Sequence, residues 1–169
     1  MNRLLTLLFA FTLLGCSTLQ AGDKAPQQTQ SIDISQTVTR VQLAEGVSAD
    51  DAIDALQSRA IALNMKLVAH QPLSKELAAR GIDSGRLEIF QFCNPEDAYR
   101  MVSFNPIFAA YMPCRIALVE EPDGPTWLMM INLDMLIDNA ELPPELKAMA
   151  TKINDNLMEI MQAGATGAF

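Results

Sequence analysis

The segment from Cys114 to Leu133 constrains the fold most. Two runs rich in β-branched and apolar residues, Cys114–Glu120 and Thr126–Leu133, flank Pro122-Asp123-Gly124. Proline pre-sets φ at the first corner of a turn and glycine supplies positive φ, so the chain doubles back and pairs the two strands antiparallel. An all-helical or all-parallel architecture is thereby excluded. Upstream, Thr37–Leu43, Lys66–His70 and Arg86–Cys93 read as three further strands. Between the first two, Ser48-Ala49-Asp50-Asp51 supplies a hydroxyl cap and first-turn acids for a helix whose Ile53, Leu56, Ala60 and Leu63 share one stripe. Ser74–Arg80 suits a short helix closed by Gly81, and Asn94-Pro95-Glu96-Asp97 opens another that carries Ala98 to Val102. Leu142-Pro143-Pro144-Glu145 starts a last helix, apolar along Leu146, Met149, Ile153, Leu157 and Ile160, with its end expected at Gly164. The order predicts an α+β fold, an antiparallel sheet of about five strands with helices on one face.

The chain has 169 residues, of which half are apolar and 19% charged, so one packed core is expected. Its net charge of -8, or -9 once Arg3 is removed (-8 - 1), repels phosphate backbones. Nucleic acid is excluded as a partner, and anionic lipid headgroups gain no electrostatic grip.

Membrane attachment is expected from the N-terminus instead. Met1–Gly15 combines Arg3 with the apolar run Leu4–Leu14, a signal-peptide pattern too short to span a bilayer comfortably. Leu13-Leu14-Gly15-Cys16 resembles the bacterial lipobox, which implies cleavage before Cys16 and diacylglycerol on its thiol. The competing reading is an ordinary secretory signal cut elsewhere. Each buried methylene contributes about 0.8 kcal/mol, so two or more chains hold the protein stably. Ser17 after the cysteine points, by the same resemblance, to the outer membrane, facing the periplasm. Residues 16–36 are expected to be lipidated cysteine and flexible tether with a reach of about 25 Å, and residues 37–169 a single domain.

Cys93-Asn94-Pro95, Met112-Pro113-Cys114-Arg115 and the Pro122-Asp123-Gly124 turn, in this order and spacing, resemble the bacterial family named domain of unknown function 302, over roughly Thr37 to Gly164. The resemblance implies a compact α+β domain with a curved antiparallel sheet in a TATA-binding-protein-like arrangement. It implies no activity.

Beyond the anchor, Cys93 and Cys114 are the chain's remaining thiols, in a compartment that oxidises thiols. If the third and fourth strands pair antiparallel, both lie at one end of the sheet. A disulfide closing about 22 residues there would add about 3.4 kcal/mol. Two buried core thiols, or a redox, sulfur-carrying or soft-metal site, are the other readings. Met112 beside Cys114 extends the last of these to Cu(I), which favours thioether and thiolate ligands. Cys93, next to a helix start, is expected to be the more reactive thiol unless it is buried. His70 is the only histidine and falls at the opposite sheet end, as a polar strand-end residue. Asp134, Asp138 and Glu141 can line one helical face and hold a hard cation, although decoration of a solvated turn is the commoner role. No phosphate loop, nucleophile elbow or Cys-x-x-Cys spacing occurs. The expectation is a membrane-tethered, non-catalytic accessory or binding domain, its ligand a protein or small molecule. A thiol-disulfide or sulfur-handling enzyme using the same cysteines, and a purely structural envelope protein, stand as alternatives.

Overall fold

The computed structural model describes residues 31–169; the expected signal peptide, Cys16 and most of the expected tether lie outside the described residues. The first described element is a 3-10 turn, Ile34–Thr37, capped by Asp33, whose carboxylate accepts from Ser35 N at 3.0 Å. The elements that follow are β1 (Val38–Gln42), α1 (Ala49–Ala62), β2 (Lys66–Gln71), α2 (Leu73–Ala78), β3 (Leu87–Cys93) and α3 (Pro95–Phe104). A second 3-10 turn, Pro106–Tyr111, leads to β4 (Cys114–Glu120), β5 (Thr126–Ile131), α4 (Leu133–Asn139) and α5 (Pro144–Thr166).

The five strands form one antiparallel sheet in the order β1-β5-β4-β3-β2. Strands β2 to β5 therefore meander, and β1 closes onto β5 at the far edge. Alternation along β3 buries Glu88, Phe90 and Phe92 on one face. Ile116 and Leu118 of β4 and Leu128 and Met130 of β5 join them. Helices α1 and α5 cover that face with Leu56, Leu157, Ile160 and Met161. Burying each large side chain contributes about 1.5–3 kcal/mol, which makes this layer the main source of stability. The fold is thus α+β with an open five-stranded antiparallel sheet, as expected.

Local details follow the sequence, with instructive exceptions. Ser48 and Asp51 form a reciprocal capping box at α1. In the β4–β5 turn the left-handed residue is Asp123 (φ 54°), not Gly124, because aspartate tolerates that region and Pro122 already sets the preceding corner. Strand β5 ends at Ile131 rather than Leu133, because the Asn132 side chain accepts from Met135 N (3.1 Å) and starts α4. The same amide donates to Gln36 O (3.1 Å), tying the chain entry to this corner. Helix α5 runs past Gly164 to Thr166, and the left-handed Gly167 (φ 65°) terminates it. Gly164 serves packing instead: a Cβ there would lie 2.7 Å from Leu56 Cγ and 2.9 Å from Leu128 Cδ1. Edge strand β2 carries a bulge between Leu67 and Ala69.

Candidate functional site

The two thiols do come to one end of the sheet, but register separates them. Cys114 pairs with Phe92, and partners in a ladder project to the same face, so Cys114 sits on the helix-covered face among core residues. Cys93 is one residue further along β3 and projects to the other face. Both are free thiols. Because their Cβ vectors point apart, a bridge would require the backbone to move. Burial raises the pKa of Cys93, and Asp97 raises it further. Cys114 is pushed up to about 11, first by burial and then by Cys93. The activation expected for Cys93 from its helix start is absent, since the Asn94 side chain accepts from Glu96 N (3.0 Å) and Asp97 N (3.2 Å) and occupies those donors. What remains in favour of Cys93 is its greater exposure.

Cys114 and Met112 line a cleft of about 360 Å³ that the sequence did not reveal. One wall is Met101 and Phe104 of α3 with Ile107, Phe108 and Tyr111 of the 3-10 turn. The other is Leu133, Leu136 and Ile137 of α4 with Ala150 and Ile153 of α5. Asparagines hold these walls in place. Asn94 caps α3 and donates to Asn64 O (3.2 Å), Asn105 accepts from Ile107 N (3.0 Å) to start the 3-10 turn, and Asn132 starts α4. The buried Asn154 of α5 donates to Asp134 Oδ1 at 2.7 Å and clamps α4 against α5. The lining is mainly apolar, and Phe104, Ile107 and Tyr111 stay more than half exposed, at 53, 62 and 52%. Volume and lining match small-molecule sites, which span about 300–1,000 Å³.

The opposite end holds the polar cluster. Glu88, buried on the core face of β3, accepts from Arg86 Nε (2.7 Å) and from His70 Nε2 (2.6 Å). Arg86 also donates from both terminal nitrogens to Asp50 Oδ1 at 3.0 Å. Burial works against the Arg86 charge, but Glu88 and Asp50 outweigh it and raise its pKa above the usual value. The His70 ring stacks on Phe90 with centroids 4.4 Å apart. His70 is thus a partner of a structural carboxylate, away from both thiols. A broader, more open depression of about 560 Å³ adjoins this cluster, where Lys75 and Arg86 balance Asp83 and Glu120. Its Arg86 is already engaged, and Glu120 Oε2 already accepts from Arg86 N (2.9 Å).

The remaining candidates disperse. Asp134 is taken by Asn154, Asp138 faces Lys147 at 3.7 Å, and Glu141 lies past the end of α4 on the cleft. Among the described residues no three His, Cys, Asp or Glu side chains gather as a metal site. The soft-donor set divides too, since Met112 and Cys114 share the cleft while Cys93 does not line it. The aromatic wall was missed because Pro106–Tyr111 has no helical or strand period. Its signal was a run of apolar residues inside a connection, where apolar side chains have no core to enter.

Fold and site together define an α+β domain on an open antiparallel sheet, with an apolar cleft at one end. The chain belongs to the family described as Domain of unknown function DUF302, which matches residues 39–164. It is similar to the crystal structure of the uncharacterized conserved protein DUF302 from Bacillus stearothermophilus, at 22% identity and a TM-score of 0.63, over 75% of this chain and 97% of that one. This likeness shows the fold alone. No curated protein matches significantly.

Proposed function

We propose that the chain is a lipid-anchored envelope protein whose domain binds an apolar small molecule in the cleft between α3 and α4. The observation that carries this reading is the cleft itself. Phe104, Ile107 and Tyr111 stay solvent-exposed on one wall while Leu133, Leu136 and Ile153 are only half-buried on the other, and exposed apolar surface gathered in a concavity marks a binding site. Cys114 fits such a role, since a thiol pushed up to about 11 is protonated at neutral pH and behaves as a small apolar group. Binding is favoured over thiol exchange because Cys93 and Cys114 project to opposite faces.

The test is saturable binding of the neutral fluorophore N-phenyl-1-naphthylamine to the full chain, with alkylation of Cys114 slowed by the same occupant. Wild type should bind about one equivalent, and Phe108→Ser should bind weakly while remaining folded by circular dichroism. Absence of saturable binding to wild type rejects the cleft as a site. The anchor is tested separately through Cys16→Ser. That variant should leave the membrane fraction, and the wild-type N-terminus should carry acyl mass.

A further inference from the structure

We propose that the cleft selects amphiphiles with a cationic, alkylammonium-type head over those with an anionic head; this rests on the binding reading above. Three features of the lining carry it. Among the described residues no lysine, arginine or histidine lines the cleft, so a carboxylate or phosphate head would meet no opposite charge from them. Among the described residues its one charged lining residue is Glu141, exposed and without an ion-pair partner there, whereas nearby Asp138 is matched by Lys147. The mouth is aromatic: Phe104 and Phe108 stand as a tilted pair with centroids 6.4 Å apart, and Tyr111 lies on the same wall.

Aromatic faces carry negative quadrupole charge, and rings flanking a carboxylate are the chemistry that recognises a quaternary ammonium. Deeper in, Met101, Ile137 and Ile153 offer only apolar or polarisable contacts, which suit an alkyl chain. Charge and aromaticity therefore agree on the head, and the apolar floor on the tail. The overall charge of -8 would draw cations to any part of the surface, so the proposal is one of local selection and needs a local test.

Dodecyltrimethylammonium, 1-dodecanol and dodecanoate, each below its aggregation threshold and at about 0.15 M salt, are competed against N-phenyl-1-naphthylamine on the full chain. The ammonium compound should displace the probe at about tenfold lower concentration than dodecanoate, with the alcohol between them. Glu141→Gln should shrink the gap between ammonium and carboxylate about threefold. Glu145→Gln, which removes the same charge outside the cleft, should leave it unchanged. Tyr111→Leu should weaken the ammonium compound about threefold and spare the alcohol. Equal or tighter binding of dodecanoate overturns the proposal while leaving the cleft a binding site. Equal effects of Glu141→Gln and Glu145→Gln overturn it too, by reducing the preference to net charge. Failure of the probe to bind wild type removes the binding reading and this inference together.

Discussion

The two ends of the sheet use their side chains in opposite ways. At the end where β4 turns into β5, Asp50, Arg86, Glu88 and His70 satisfy one another, and the one buried carboxylate accepts from two partners. At the other end, Phe104, Ile107 and Tyr111 stay exposed around a cleft, and Glu141 has no ion-pair partner among the described residues. A satisfied cluster stabilises the fold and leaves nothing to offer a ligand. An unsatisfied one adds little stability and keeps its contacts for something else. The difference teaches that ionisable side chains held close together are a poor guide to where this domain acts. By that guide, the sole histidine paired with a buried glutamate would have been chosen first.

The comparison is most easily broken at Arg86. Arg86→Ala leaves the Glu88 carboxylate buried with His70 alone and should cost about 3 kcal/mol in urea denaturation, with probe binding at the cleft unchanged. Parallel loss of binding would mean that the two ends are not independent. Next comes alkaline pH. The folded pKa of Cys114, about 11, lies above the 9.0 of a free thiol, so the unfolded chain releases its proton first. Stability is therefore full below pH 9 and should fall by on the order of 1 kcal/mol per pH unit until about pH 11. Cys114→Ser should flatten that slope relative to wild type, and identical slopes would place the thiol in a more solvated setting than the core contacts indicate. A smaller effect is expected at His70, whose side chain is 34% exposed: His70→Gln should change stability by less than about 1 kcal/mol. The smallest is at the cleft rim, where Phe104→Ser should alter the denaturation midpoint by under about 0.5 kcal/mol while weakening probe binding several-fold. A large stability loss there would show that the rim belongs to the core.

The hairpin, the Ser48 cap and the apolar stripe of α5 were legible because each is local. Turn chemistry, capping and periodicity all act within a few residues. Helix α4 was not legible, since Leu133 continues the strand pattern of β5 and only the Asn132 hydrogen bond to Met135 marks the break. The end of α5 was misplaced for a related reason. Gly164 looks like a terminator in one dimension, and its neighbours Leu56 and Leu128 are distant in sequence. For the thiols, the shared sheet end was readable, but their opposite faces depend on a one-residue register that no local signal specifies. The cleft needed five separate elements brought together: α3, the second 3-10 turn, the start of β4, α4 and α5. Its sole sequence trace is the aperiodic apolar run Pro106–Tyr111.

The bulge in β2 has a consequence for crowding. An open sheet has two free edges, and a flat edge is a template on which another copy can add a strand. Here one edge is kinked between Leu67 and Ala69 and begins with exposed Lys66, while the other, β1, is only five residues long and bears exposed Arg40. Each addition would have to straighten a kink or bring like charges together. Copies held at high local density should stay separate, with their clefts available, and should not polymerise edge to edge.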